Sequence, residues 1–173
     1  MEKLYLVSPN EEYKEKILEY KKEFAANSEI PHGIAGLDNM ESFEEWLCNL
    51  RKNENEETVL EGRVTSSTFI GVREADEKVV GFIDIRHRLN DYLLNYGGHI
   101  GYSVRKSERR KGYATEMLRL ALLKCKELHI EKALVTCYKD NAASAKTIIA
   151  NGGVLENEIP DEGSILQRYW ITI

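Results

Sequence analysis

Between Arg105 and Lys111 the chain reads Arg-Lys-Ser-Glu-Arg-Arg-Lys, five cations and one anion, a local net of +4 in a protein of formal net charge −5. Gly112 follows, and a long helical pattern opens behind it. A turn of this kind suits an anion. The first helical turn offers N–H groups without intrahelical acceptors, the helix dipole adds positive potential, and a glycine lets a ligand approach the main chain. Phosphate is the expected guest. Two phosphate motifs are excluded, because no Gly-Lys-Ser/Thr follows the turn and no Gly-x-Gly-x-x-Gly is present.

Other residues could carry chemistry. Asp140-Asn141-Ala142-Ala143-Ser144 opens a second helical pattern, where Asp140 or Asn141 is a good N-cap. His99 stands at the head of an apolar run, and imidazole titrates near neutrality. His32 and His87 have weaker claims, and His129 falls in the last turn of the long helix, where a cation suits the dipole. Tyr138 ends a strand-like run, and Cys137 before it reads as core.

The elements that must position these residues follow from periodicity. Leu4 to Val7 reads as a strand, Glu11 to Ala26 as a helix carrying Tyr13, Ile17, Leu18, Tyr20 and Phe24, and Asn27 to Asn39 as a loop. A second helix spans Ser42 to about Asn53, with Ser42 as N-cap and a Glu at its third position. Arg51 to Gly62 is polar and solvated. Thr68 to Arg73 and Lys78 to His87 alternate around Glu74-Ala75-Asp76-Glu77 and form a hairpin. Asn90 to Gly98 is irregular. His99 to Val104 is a strand, Gly112 to Leu128 a helix whose stripe is Ala114, Met117, Leu118, Ala121, Leu122, Cys125 and Leu128, and Lys132 to Tyr138 a strand. The helix Asn141 to Asn151 stops at Gly152-Gly153, and two strands, Gly153 to Glu158 and Ile165 to Ile173, close the chain.

At 173 residues the chain fits one domain, 1–173, with 42% apolar and 31% charged residues. The acidic balance argues against a nucleic-acid partner. Three cysteines without a Cys-x-x-Cys pair give neither a disulfide framework nor a zinc spacing, so no metal is expected. No stretch reaches transmembrane length, which leaves a cytoplasmic protein as the expectation and no membrane partner.

The strand, basic turn and helix resemble motif A of the GNAT superfamily of N-acetyltransferases: Gln or Arg, two residues, Gly, one residue, then Gly or Ala, here Arg109-Arg110-Lys111-Gly112-Tyr113-Ala114. The resemblance runs from Leu4 to Ile173. It implies an α/β fold, mixed α+β, with a central mixed, mostly antiparallel twisted sheet of about seven strands flanked by about four helices. The sheet would be splayed at the cofactor site. The implied activity is transfer of an acetyl group from acetyl-CoA (coenzyme A as cosubstrate) to a small-molecule or peptide amine by direct attack in a ternary complex. A sensor module that holds acyl-CoA without turnover is the alternative, and an acyltransferase using a hydroxyl acceptor or a longer acyl group also stays open. By the same resemblance Arg109, Arg110, Lys111, Gly112, Tyr113, Ala114 and Thr115 receive the pyrophosphate, and Asn141 and Ser144 contact the pantetheine arm. Backbone groups of Tyr102, Ser103 and Val104 line the splay, with the Val104 N–H polarising the thioester. His99 replaces the Glu that many relatives carry on this strand and is the candidate general base. Relatives often place a Tyr where this chain has Ile148, so either Tyr138, another Tyr or water would protonate the thiolate, or coenzyme A would leave as the thiolate itself. Residues 27 to 50 cover the acceptor. Acceptor identity, and a monomer against a homodimer, stay open.

Overall fold

The computed structural model describes residues 2–173. The first half of the chain forms β1 (Leu4–Val7), α1 (Lys14–Ala26), α2 (Phe43–Asn53), β2 (Ser66–Arg73), β3 (Val79–Arg86) and β4 (Ile100–Val104). The second half forms α3 (Tyr113–Glu127), β5 (Lys132–Tyr138), α4 (Ala142–Ala150), β6 (Val154–Asp161) and β7 (Ser164–Thr172). The element order is the expected one. The start of the first helix differs: Asn10 accepts the Glu12 N–H (2.9 Å) and winds Glu11–Tyr13 into a 3₁₀ turn, so the α-helix begins at Lys14. The irregular stretch before β4 contains a π turn, Leu93–Gly97. Two caps stand where the sequence places them. Ser42 Oγ accepts from the Glu45 N–H (3.1 Å) and Asn141 Oδ1 from the Ser144 N–H (3.1 Å).

The seven strands divide between two sheets, β1-β2-β3-β4 and β5-β7-β6, and every ladder is antiparallel. Helix α3 carries the chain from the last strand of one sheet to the first of the other. The two sheets meet where the His99 N–H donates to the Leu134 carbonyl (2.7 Å). Beyond that point, among the described residues, no hydrogen bond links β4 to β5.

Each face of the first sheet has its own core, because side chains alternate along β3. Ile83 and Ile85 pack with Met117, Leu118 and Ala121 of α3, together with Val135 and Ile171 of the second sheet. Phe82 turns to the opposite face and joins Tyr20 and Phe24 of α1, Trp46 of α2, and Ile70 and Val72 of β2. Trp46 is fully buried and its Nε1–H donates to the Ile34 carbonyl (2.9 Å), so it ties α2 to the loop crossing this face. That loop lies hard against β4. A Cβ on Gly33, whose φ is +72°, would stand 2.3 Å from the Gly101 carbonyl oxygen. Truncation of Trp46 to Ala removes core volume and frees the loop, so a loss of about 3–5 kcal/mol is expected. Urea unfolding followed by fluorescence or circular dichroism checks it.

Candidate active site

The turn between β4 and α3 is shaped by its backbone. Lys106–Glu108 is one 3₁₀ turn, and both Arg110 (φ +64°) and Gly112 (φ +86°) are left-handed. Gly112 is the N-cap of α3 and brings no side chain to close it. Among the described residues no protein group accepts from the amides of Tyr113, Ala114 or Thr115. These free N–H groups form an anion cradle at the start of a fifteen-residue helix.

The cations of this turn are mostly committed to partners distant in sequence. Arg105 is buried and pairs with Glu19 (2.8 Å) and Glu23 (2.5 Å) of α1. Lys106 donates to Asn27 (2.8 Å). Arg109 pairs with Glu29, donates to the Val104 carbonyl (2.9 Å) and lies over the Phe24 ring. Lys111 pairs with Glu108 (2.8 Å). Among the described residues only Arg110 of the five has no acidic or hydrogen-bonding partner. The +4 of the primary structure is therefore largely offset in space. Glu108 is 4% exposed and also holds Arg73 (2.8 Å) and Lys78 (3.0 Å). Burial alone would raise its pKa, but the hydrogen bonds from Lys111, Lys78 and Arg73 outweigh it and hold the carboxyl at about 2.

Beside this turn the two sheets part. The ladder hydrogen bonds Arg86 N–H to His99 C=O (2.8 Å) and Arg105 N–H to Val80 C=O (3.0 Å) fix the alternation along β4. Gly101 and Ser103 then bond toward β3, whereas the amides of Tyr102 and Val104 face the gap to β5. Ser103 thus spends its main chain in the ladder, and its Oγ binds the Tyr20 hydroxyl (2.9 Å) and the His32 carbonyl. The Tyr102 side chain crosses toward α4 and its hydroxyl meets Ser144 Oγ (2.7 Å). Burial pushes the Tyr102 phenol up to about 12. Asn141 sits at the same helix start as the cap of α4.

His99 is 8% exposed at the junction of the sheets. Its Nδ1 accepts the Leu134 N–H (2.9 Å), so the neutral ring carries its proton on Nε2. Burial, reinforced by the Arg86 charge, lowers its pKa to about 4. Tyr138 stands apart from His99: its hydroxyl donates to Asp161 (2.8 Å) at the end of β6, and that contact raises its pKa. Cys137 is buried and its thiol is pushed up to about 11 by burial. Among the described residues no cluster of three or more His, Cys, Asp or Glu could hold a metal ion.

A cavity of 440 Å³ opens on the α1–α2 face of the first sheet. Its roof is the loop from Pro31 to Asn39, and its floor includes Ser66, Asp84 and Arg86. Asp84 is 5% exposed, accepts from Thr68 Oγ1 (2.8 Å) and pairs with Arg86 Nε (3.1 Å). Burial raises its pKa against the opposing pull of Arg86. No motif marks Asp84 in the sequence. The available signal was a carboxylate in mid-strand, in phase with Phe82 on a face bounded by apolar neighbours.

The comparisons agree with this architecture. The family profile described as "Acetyltransferase (GNAT) domain" matches residues 3–154, and the chain belongs to that family. No curated protein sequence matches it. Among solved structures, ribosomal-protein-S5-alanine acetyltransferase from Vibrio fischeri superposes with a TM-score of 0.71 at 16% identity, covering 99% of this chain and 94% of that one. RimL, a ribosomal L7/L12 alpha-N-protein acetyltransferase in complex with coenzyme A, gives 0.69 at 17% identity, covering 98% and 94%. MccE, a microcin C7 self-immunity acetyltransferase in complex with acetyl-CoA and AMP, gives 0.67 at 16% identity, covering 98% and 92%.

The His99 contact predicts a pH dependence. Its pKa of about 4 in the fold lies below the ordinary 6.5, so the unfolded chain binds the extra proton between those values. The stabilisation is complete above pH 6.5 and is lost as pH falls toward 4, by up to about 3 kcal/mol. Unfolding free energies across that window should flatten in His99→Phe, which should also be less stable at pH 7 because the Leu134 N–H loses its acceptor.

Proposed function

We propose that the protein is an acetyl-CoA-dependent N-acetyltransferase acting by direct attack in a ternary complex. The carrying observation is the gap between β4 and β5, which has free Tyr102 and Val104 amides along one side and the open amides of Tyr113, Ala114 and Thr115 at its end. The pantetheine arm would pair with the freed β4 edge like an added strand, and the pyrophosphate would sit on the α3 amides with Arg110 beside it. The Val104 N–H is the donor for the oxygen that gains charge when an amine adds to the thioester carbonyl.

His99 serves in this reading as the clasp between the sheets, since its accepting nitrogen is already occupied by Leu134. Tyr138 has its proton committed to Asp161, so Tyr102, held by Ser144 across the gap, is the better placed phenol for the thiolate. The acceptor enters through the cavity under the Pro31–Asn39 loop, whose volume fits a small amine or the first residue of a peptide. Ribosomal proteins, named as substrates of two structural neighbours, place peptide N-termini among the acceptors to test.

Thiol release from acetyl-CoA across amines, amino acids and short peptides is the direct test. Acceptor-dependent release is expected, and none above hydrolysis, with acetyl-CoA bound, would count against an enzyme. Gly112→Glu adds a carboxylate to the cradle and a side chain at φ +86°, so acetyl-CoA affinity should fall about 100-fold or more in calorimetry. Arg110→Gln should weaken binding by a smaller factor that shrinks as salt is raised.

A further inference from the structure

We propose that Asp84 takes the proton from the acceptor: it receives the ammonium group of a small primary amine in the cavity and deprotonates it before attack. This rests on the acetyltransferase reading above.

The position of Asp84 follows from the register. Along β3 the residues Phe82, Asp84 and Arg86 share one face, and the face changes from aromatic core to polar cavity floor within two positions. Directly opposite Asp84 on β4 is Gly101, next to the Tyr102 amide that faces the gap. The carboxylate and the acetyl group's expected position are thus separated by a single strand. Gly101 also leaves space for the Arg86 guanidinium, which lies over it, donates to the Gly97 carbonyl (3.3 Å) and pairs with Asp84.

The second observation is an unpartnered acceptor beside the carboxylate's cavity. Asp84 accepts from Thr68 on Oδ1, its Oδ2 is ion-paired with Arg86 Nε (3.1 Å), and the Ser66 hydroxyl also helps to hold the charged form. Asn53, 4% exposed and lining the same cavity, has a buried Oδ1 without any donor. Buried acceptors left in this state are costly, and a primary ammonium brings three N–H groups. The groups around Asp84 are Arg86 on its own strand, Ser66 and Thr68 of β2, His87 at the strand end, and Asp38 and Arg63 on the cavity wall. His87 is held by Ser67 (2.8 Å), and His99 by Leu134. Burial makes the Asp84 carboxylate a stronger base than an exposed one.

The step balances. The ammonium gives one proton to the Asp84 carboxylate, and the neutral nitrogen forms a C–N bond to the thioester carbonyl carbon. The C–S bond breaks, a second nitrogen proton reaches the departing sulfur as free thiol, and Asp84 returns its proton to water. The products are the amide, coenzyme A thiol and one released proton.

Two acceptors of nearly equal shape separate this role from a structural one. Propylamine is an ammonium at pH 7, whereas aminoacetonitrile is already neutral. With the full chain, Asp84→Asn should lower kcat/KM for propylamine at pH 7 by about 100-fold or more. The loss for aminoacetonitrile should be within about 5-fold, and acetyl-CoA affinity should stay within about 2-fold. An equal loss for both amines, or no loss for either, overturns the proposal. Wild-type protein that binds acetyl-CoA but acetylates neither amine also overturns it, while leaving the acetyl-CoA reading in place. Failure to bind acetyl-CoA defeats that reading itself. If Asp84→Asn does not fold, Thr68→Val removes a donor to the ionised carboxylate and should move the acidic limb of the propylamine profile to higher pH. An unmoved limb counts against Asp84.

Discussion

The gap between the sheets depends on one short contact set. The His99 N–H and Nδ1 bind the carbonyl and N–H of the same residue, Leu134, much as a neighbouring strand would. Among the described residues this substitute for a ladder rung is the one hydrogen-bonded link between the two sheets. From there β4 continues bonded to β3 on one side only, and its alternate amides face an edge with no strand beside it. An unpaired edge in a protein interior is unfavourable unless something else pairs with it. The clasp therefore leaves both an open space between the sheets and a row of main-chain donors without a strand partner. A protonated ring could not accept from Leu134, so the neutral state favoured by burial is a condition for the clasp.

Charge is organised with the same economy. The cations around the β4–α3 turn would repel one another if left free, and acids from α1 and the following loop come to them: Glu19 and Glu23 to Arg105, Glu29 to Arg109. Glu108 gathers Arg73, Lys78 and Lys111 around one buried carboxylate. A buried pair of this kind contributes less to net stability than to fixing geometry, because desolvation offsets much of the attraction. Here it anchors α1 and the β2–β3 hairpin to the turn. What remains for an anion is the main chain, Arg110 and the helix dipole, a field set by backbone shape more than by the count of basic residues.

Much of this was legible in the sequence. Apolar runs give β1 and β5 to the residue, a capping pattern gives the start of α2, and Gly112 before a single-faced helix gives the turn. The glycine motif also points to the family. Contacts between distant residues were not legible. Nothing near Arg109 in the chain announces Glu29, and nothing near His99 announces Leu134, since both pairs exist only after the chain has folded. The splay comes from the family resemblance and not from either strand's composition, and in the structure it is complete enough to divide the strands between two sheets.

Asp84 shows where local reading stops. In a strand bounded by Val79, Val80, Phe82, Ile83 and Ile85, a carboxylate looks like the solvent-facing member of an alternating pattern. Yet both faces of β3 are covered, one by α3 and the other by α1, α2 and the loop. A strand buried on both faces has no solvent side to which a charge can be assigned. Its one carboxylate must then be matched by protein donors, and Thr68 and Arg86 supply part of that match. The same loop that excludes water from Asp84 also leaves an opening beside it, and Gly33 permits the close approach to Gly101 that brings the loop down onto β4. Covering the strand and shaping the cavity are consequences of one packing arrangement.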